Sequence, residues 1–311
     1  MVFIVNPASA MGKTKRAWSR LEPMALEKFP QCEVLFTTKK GHALELSRKA
    51  IKEQANAVIA VGGDGTISEV SGGFTNDTGR LFQKGKHITK LGIIAAGSGS
   101  DFVKTIALPK SHNEQLSVIQ RGKTQTIDLG FASFVDYENQ TKTRTFINNA
   151  DVGIGAEVMN LLEKEGKKFG SWLSYQLATL RSLISYQNKE LKLTISKSDT
   201  RQGIFNGVVV ANAKYFGSGM KIAPDANLSD QLFDVILLKE MSKIEMIMKL
   251  PKLQKGSHIY EKEVEVVRTK SIKIESTNES KKAFIEFDGE PLGQCPVTFS
   301  IIPKAIDIFV P

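Results

Sequence analysis

A glycine-rich segment directly follows a short apolar run and consists of Gly62, Gly63, Asp64, Gly65 and Thr66. Glycine lets the backbone approach a phosphate group closely and adopt positive φ angles. The predicted helix that begins here adds free N–H groups and the positive end of a helix dipole, which favour an anion. Asp64 offers a carboxylate for Mg²⁺, and Thr66 either caps the helix or contacts the phosphate. We interpret the segment as a phosphate-binding loop, the alternative being an ordinary turn between a strand and a helix.

The N-terminal sequence predicts the sheet that would carry this loop. Strands are expected at residues 2–5, 33–36, 57–61 and 91–95, and helices at residues 14–29 and 43–53. Continuous apolar strands separated by helices are typical of a parallel sheet covered on both faces, and ligands of such sheets lie at the carboxyl ends of the strands. We therefore predict a three-layer α/β/α nucleotide-binding domain. The chain has no Walker A motif, which argues against a P-loop kinase.

The pattern changes after about residue 128, where strand-like runs follow one another. Strands are expected at residues 145–149, 191–196, 203–211, 233–238, 264–267, 271–275, 283–287 and 297–302, and helices at residues 171–186 and 242–250. This succession predicts an antiparallel β-sandwich as the second domain.

The composition is that of a globular protein of about two domains. Of its 311 residues, 41% are hydrophobic and 24% are charged. The only cysteines are Cys32 and Cys295, and two cysteines argue against a disulfide framework. The apolar start of the chain predicts a first strand rather than a signal peptide. No apolar run approaches the roughly 18 residues of a membrane span, so we expect a cytoplasmic protein.

The net charge of +9 would suit a nucleic acid, an anionic membrane face or a nucleotide. No nucleic-acid motif accompanies it, and we expect no nucleic-acid partner.

Seven segments in order resemble the diacylglycerol kinase catalytic family across nearly the whole chain. They are residues 6–13, Thr37 with residues 41–43, residues 62–69, residues 97–102, residues 127–130, residues 217–224 with Ala226 and Asp230, and residues 287–290. The sequence departs from the family pattern at four positions: Ala10 replaces a common Gly, Ser100 the usual Asn, Lys104 a common Arg, and Gln231 the Gly of an Asp-Gly pair.

The resemblance implies a set of site residues. The ATP site would be lined by Asn6, Thr37, Gly62, Gly63, Asp64, Gly65, Thr66, Glu69, Gly97 and Ser98. Asp64, Asp101 and Asp128 would form an acidic cluster for catalytic Mg²⁺, partly through water, with Lys104 beside them. The alternatives are a helix N-cap for Asp101, a turn residue for Asp128 and a solvated side chain for Lys104.

The resemblance also assigns a general base and a structural metal. Glu290 would accept the proton of the attacking hydroxyl, although Asp288 and Gly289 before it are also typical of a plain hairpin turn. Asn227, Asp230 and the backbone carbonyl of Leu232 would hold a structural Mg²⁺, the alternative being a simple turn around Asp230.

Together these features imply an ATP- and Mg²⁺-dependent lipid kinase, with diacylglycerol as the expected acceptor and phosphatidic acid as the product. The domains would be residues 1–128, completed by residues 305–311, and residues 129–304, with the active site in the cleft between them. Two alternatives remain: an NAD kinase-like enzyme, because NAD kinases share the Gly-Gly-Asp-Gly-Thr loop, and a catalytically silent protein that binds lipid or nucleotide.

Membrane contact is the expected partner interaction. Basic amphipathic helices at residues 172–184 and 244–253 would allow peripheral association with the inner membrane face, where the lipid alcohol is found. Core-packing helices with solvated lysines are the alternative. The sequence names neither the lipid nor the oligomeric state, so a monomer and a homodimer both stay open.

Overall fold

A computed structural model describes residues 1–82, 88–97, 101–165, 180–182 and 185–311. The chain divides into two compact units. The first consists of Met1–Leu129 together with Ile302–Pro311, and the second of Gly130–Ile301. Ser98 to Ser100 and most of the helix predicted at residues 171–186 lie outside the described residues.

The first unit is built on a parallel sheet. Its strands are β1 (Val2–Val5), β2 (Glu33–Phe36), β3 (Ala57–Gly62) and β4 (Lys90–Ala95), in the order β4-β3-β1-β2. Beyond β4, Asp307 and Ile308 at the end of the long strand β14 (Glu290–Phe309) add a further parallel pairing. Every residue of β3 is buried, as expected for an apolar strand covered on both faces.

Five described helices accompany this sheet: α1 (Lys13–Lys28), α2 (His42–Lys52), α3 (Asp64–Gly72), α4 (Asp101–Thr105) and α5 (His112–Arg121). In α1, Trp18, Leu21 and Ala25 recur at helical spacing and pack on Phe3 and Ile59 of the sheet. Helix α5 lies in a stretch for which we predict no element; Leu116 and Ile119 bury its inner face in the same core.

The second unit is antiparallel. Its strands are β5 (Thr124–Val135), which begins in the first unit, β6 (Thr141–Phe146), β7 (Asn149–Gly153), β8 (Lys189–Thr194), β9 (Thr200–Ala211), β10 (Phe233–Lys239), β11 (Val264–Thr269), β12 (Ser271–Ser276), β13 (Phe284–Phe287) and β14 (Glu290–Phe309). The pairings β9-β8-β12-β14-β13-β7-β9 close on themselves. The core they share includes Phe146, Phe233, Phe287 and Phe299.

Two helices of the second unit are described, α6 (Ile154–Glu165) and α7 (Lys243–Lys255). Helix α7 begins with a capping box, in which Ser242 and Glu245 each accept a hydrogen bond from the other's backbone N–H. Within the described residues, no helix combines the length and apolarity needed to cross a bilayer.

The fold class is confirmed: an N-terminal α/β domain precedes a C-terminal antiparallel β domain. Two element predictions are wrong in detail. The strand expected at residues 145–149 is broken, because β6 ends at Phe146 and β7 begins at Asn149. The strand expected at residues 297–302 is the middle of the 20-residue β14.

Candidate active site

The loops after β1, β3 and β4 meet at the carboxyl edge of the parallel sheet. A Cβ atom on Gly97 would lie 2.3 Å from the Cα atom of Gly63, a separation that side chains do not tolerate. A Cβ atom on Gly63 would lie 3.2 Å from Oγ of Ser9. Because neither glycine carries a side chain, the backbones of two loops come into direct contact. Ser9 also lies at this edge; it belongs to the resembling segment of residues 6–13 but was not among the predicted site residues.

Asn6 connects the first loop to the start of α3. Its Nδ2 donates to Oγ1 of Thr66 at 3.0 Å, and its Oδ1 accepts from the backbone N–H of Ala8 at 3.1 Å. Gly62 must lack a side chain here, because its Cβ atom would meet Oγ1 of Thr66 at 2.4 Å. The structure thus brings together Asn6, Gly62 and Thr66, three residues predicted for one ATP site.

Glu69 has a structural contact at the same edge. Its two carboxylate oxygens accept the backbone N–H groups of Gly41 and Ala43 at 2.9 and 3.1 Å. The carboxylate therefore binds the first turn of α2 and compensates its unpaired N–H groups. Thr37 is buried at the end of β2, where its N–H donates to the carbonyl of Val5 at 2.9 Å. Glu69 thus stabilises the edge on which Thr37 lies.

Asp64 lies at the start of α3 and caps a neighbouring helix. Its Oδ1 accepts the N–H groups of Asp101 at 3.0 Å and Phe102 at 3.4 Å, at the beginning of α4. Asp101 is mostly buried and pairs with the ammonium group of Lys104 at 2.9 Å. Two of the predicted catalytic carboxylates and the predicted lysine therefore form one connected group.

Asp128 has a different environment. It is buried in β5, and its Oδ1 accepts the backbone N–H of Lys304 at 2.7 Å. Among the described residues, no three His, Cys, Asp or Glu side chains form a group that could hold a metal ion. The predicted three-carboxylate cluster is therefore not preassembled. The carboxylates of Asp64 and Asp101 still fit Mg²⁺ chemically, because Mg²⁺ commonly takes one or two carboxylates and completes its shell with water and phosphate.

In the second unit, Asp288 and Gly289 form a tight turn between β13 and β14. Both residues have positive φ, 50° and 83°, which is typical of a two-residue hairpin turn. The carboxylate of Asp288 accepts three backbone N–H groups, from Ile147 at 3.1 Å, Asn148 at 2.9 Å and Asn149 at 3.1 Å. This contact explains why the strand expected at residues 145–149 is broken.

Glu290 follows this turn as the first residue of β14. Its Oε2 accepts a hydrogen bond from Nη2 of Arg144 at 2.8 Å, and both side chains are mostly buried. A charge-assisted hydrogen bond of this kind fixes the orientation of the Glu290 carboxylate. Arg144 was not predicted: it lies in a polar strand, Thr141–Phe146, and only its contact with a residue 146 positions away identifies it.

Two buried carboxyl groups lie next to this turn. Glu286 and Asp151 are directly paired across β13 and β7, and both are almost fully buried. Oε2 of Glu286 accepts the N–H of Gly289 at 2.6 Å, and Oδ1 of Asp151 accepts that of Ala156, in the first turn of α6, at 3.2 Å. Burial raises the pKa of Asp151 to about 7 and that of Glu286 well above its usual range. At neutral pH the pair therefore retains protons that exposed carboxyl groups would have lost.

The residues predicted to hold a structural metal contact protein groups in this structure. Its Oδ1 accepts the N–H of Leu232 at 3.1 Å, and its Oδ2 pairs with the guanidinium group of Arg268. Oδ1 of Asn227 accepts the N–H of Ser229 at 3.1 Å. Arginine thus supplies the positive charge expected from a metal. Gln231, in the position of the family's glycine, has a φ of 64°, a conformation that costs a non-glycine residue about 1–2 kcal/mol.

Both parts of the chain match families of known proteins. Residues 1–132 match the diacylglycerol kinase catalytic domain, and residues 149–310 match the YegS C-terminal NAD kinase beta sandwich-like domain. A diacylglycerol kinase of Staphylococcus carnosus is 26% identical, with 99% of this chain and 94% of that protein covered.

Solved structures show the same fold. A diacylglycerol kinase structure from Bacillus anthracis has a TM-score of 0.70 at 18% identity and covers 100% of this chain and 96% of its own. Yeast NADH kinase complexed with NADH has a TM-score of 0.56 at 14% identity and covers 99% and 81%. Since the two family matches extend over most of the sequence, in the order in which the two units occur, the chain belongs to the diacylglycerol kinase family with a YegS-type C-terminal domain.

Proposed function

We propose that this protein is an ATP- and Mg²⁺-dependent lipid kinase that phosphorylates the hydroxyl group of a lipid alcohol, with diacylglycerol as the expected acceptor. The observation that carries the proposal is the close approach of Gly63 and Gly97 beside Asp64. It leaves an edge of bare backbone at the start of α3, which suits the phosphates of a nucleotide.

The first unit would hold the nucleotide. The N–H groups at the start of α3 would bind phosphate oxygens, while Asn6 and Thr66 fix the shape of the loop through their mutual hydrogen bond. Asp64 and Asp101 would hold Mg²⁺, which neutralises phosphate charge when it is bound. Lys104, paired with Asp101, adds a positive charge to the same group.

The second unit would supply the base. The lipid hydroxyl oxygen forms a bond to the γ-phosphorus, the bond from that phosphorus to the bridging oxygen of ADP breaks, and the hydroxyl proton passes to the carboxylate of Glu290. Arg144 orients this carboxylate through the contact at 2.8 Å. Asp288 binds three backbone N–H groups and so acts as a structural residue of the turn.

The proposal is tested with labelled ATP against a panel of lipid alcohols in mixed micelles, with NAD as acceptor in a separate arm and identification of every product. Asp64→Asn is the matched inactive control, because Asn keeps an oxygen for the N–H groups of Asp101 and Phe102 while it removes the charge. Labelled lipid formed by the parent and not by the variant supports the proposal. Labelled NADP without labelled lipid supports the NAD kinase alternative, and an absence of ATP consumption supports a silent binding protein.

A further inference from the structure

Helix α7 has apolar residues on two opposite faces. On the inner face, Met246 is buried and packs with Met241. On the outer face, Ile244 and Met248 are each 71% exposed and Ile247 is 38% exposed within the described part of the chain. Together with exposed Pro251, they recur at i, i+3, i+4 and i+7, which places them along one side of a helix. We call these four residues the α7 stripe.

An outward apolar stripe is costly for a helix that only packs on its own domain. Each large apolar side chain left in water forgoes the free energy of its burial, and a contiguous apolar patch typically marks a contact with a partner or membrane. The short helix after α7 ends at Tyr260, which is 83% exposed. Tyrosine with neighbouring aliphatic residues is typical of the boundary between lipid and water.

The segment that carries the stripe has an excess of positive charge. Residues 242–263 contain five lysines and three glutamates. All three glutamates have partners: Glu245 bonds to Ser242 in the capping box, Glu261 pairs with Lys249 and Lys252, and Glu263 pairs with Lys249 and Lys262. Lys255 follows Pro251 by four residues and so continues the same side of the helix as an exposed cation. This combination of apolar side chains and lysines is complementary to an anionic lipid surface.

We infer that the α7 stripe is the membrane-docking surface of this protein and inserts its apolar side chains into an anionic lipid interface. The inference rests on the proposed lipid kinase function, which requires access to a lipid hydroxyl. A second copy of the chain fits the stripe less well, because a stable protein interface uses about 20–30 residues a side and a symmetric contact would bring the lysines of both copies together.

The test measures binding of the full-length protein to vesicles of phosphatidylglycerol and phosphatidylcholine in equal parts, and to vesicles of phosphatidylcholine alone. Replacing both Ile244 and Met248 by Ser should lower the partition coefficient on anionic vesicles by at least about 30-fold. The control is Leu26→Ser, which removes an exposed apolar side chain (44%) from α1, away from the stripe, and should change binding less than about twofold. Met248→Trp should bind more tightly and show a blue shift of tryptophan emission on anionic vesicles.

Activity toward a soluble short-chain diacylglycerol separates this inference from the proposed function. If the stripe docks the membrane, the Ser variant keeps the parent rate on the soluble substrate and loses rate only on vesicles. If the parent phosphorylates no lipid and the Ser variant still binds vesicles more weakly than the parent, the proposed function is refuted and the docking surface is supported. Equal loss with Leu26→Ser, or no blue shift with Met248→Trp, overturns the inference. So does a parent dimer that the Ser variant converts to a monomer.

Discussion

Gly65 allows the folding and the nucleotide-binding roles of the glycine-rich loop to be separated. It lies in the first turn of α3, is exposed, and a Cβ atom added there would meet no atom within 4 Å. Gly65→Ala should therefore stabilise the folded protein by about 0.4–1 kcal/mol, because alanine restricts the unfolded chain and favours the helix. For a domain of this size, such a change raises the melting temperature by about 1–4 °C.

The same substitution should weaken ATP binding. In the proposed site, the open space beside Gly65 is where a phosphate approaches the N–H groups of α3, and a methyl group would hold it away. A hydrogen bond to a charged group contributes about 1.5–3 kcal/mol, so the loss of one such bond lowers ATP affinity about 10- to 150-fold. Equilibrium ATP binding and ligand-free melting curves measure the two effects independently.

Two other glycines serve as controls. In Gly97→Ala, the new Cβ atom lies 2.3 Å from the backbone of Gly63, so we expect destabilisation of about 1–3 kcal/mol and loss of ATP binding. In Gly203→Ala, the Cβ atom meets only the ring of Phe205, at 3.6 Å, so ATP affinity should not change. The reasoning is refuted if Gly65→Ala is as stable as expected and binds ATP within about threefold of the parent, well short of one lost charged hydrogen bond.

The remaining predictions concern side chains of the second unit. Glu290→Gln should reduce kcat by about 100- to 10,000-fold with little change in equilibrium ATP binding, because Gln keeps the size of Glu but is a poor proton acceptor; turnover within about threefold of the parent, with chemistry limiting, would make Glu290 a turn residue. Arg144→Lys should lower kcat on lipid while leaving ATP affinity unchanged, since lysine keeps the charge but loses the planar fork that orients Glu290; an equal loss of ATP affinity would contradict this role. Burial raises the pKa of Asp151 from 3.8 to about 7, so between these values the folded protein holds a proton that the unfolded chain has released, and the free energy of unfolding falls as the pH rises through this window. In urea titrations, Asp151→Asn should reduce this pH-dependent change in the free energy of unfolding by on the order of a few kcal/mol. Glu286 accounts for the pH dependence that remains. A variant with the same pH profile as the parent would show that Asp151 titrates normally.

The sequence was sufficient where local pattern determines structure. The five-residue apolar run at residues 57–61, which ends at glycines 62 and 63, is typical of a buried strand followed by a turn, and the structure has both there. Positions whose structure depends on distant residues were not predictable. The break between β6 and β7 results from the carboxylate of Asp288, which binds N–H groups about 140 positions away.

The partners of charged residues are equally hard to predict when they lie far away in the sequence. The family resemblance implies a metal loop around Asp230, and only the contact with Arg268, 38 positions later, shows that an arginine balances its charge. Helix α7 is a further example. The sequence leaves a membrane-associated helix and a core-packing helix open at residues 244–253, and the structure is needed to see that Ile244 and Met248 face outward while Met246 faces the core.

The first unit contains residues from two distant parts of the chain, and this has a consequence for its synthesis. Leu129 and Ile302 belong to the same unit, so the ribosome makes the whole second unit between them. Until residues 307 and 308 have been made, the edge of β4 lacks its outer neighbour, and unpaired strand edges favour aggregation. The second unit is contiguous and has its own core, so it can complete its folding while the nucleotide-binding unit still waits for its last strand.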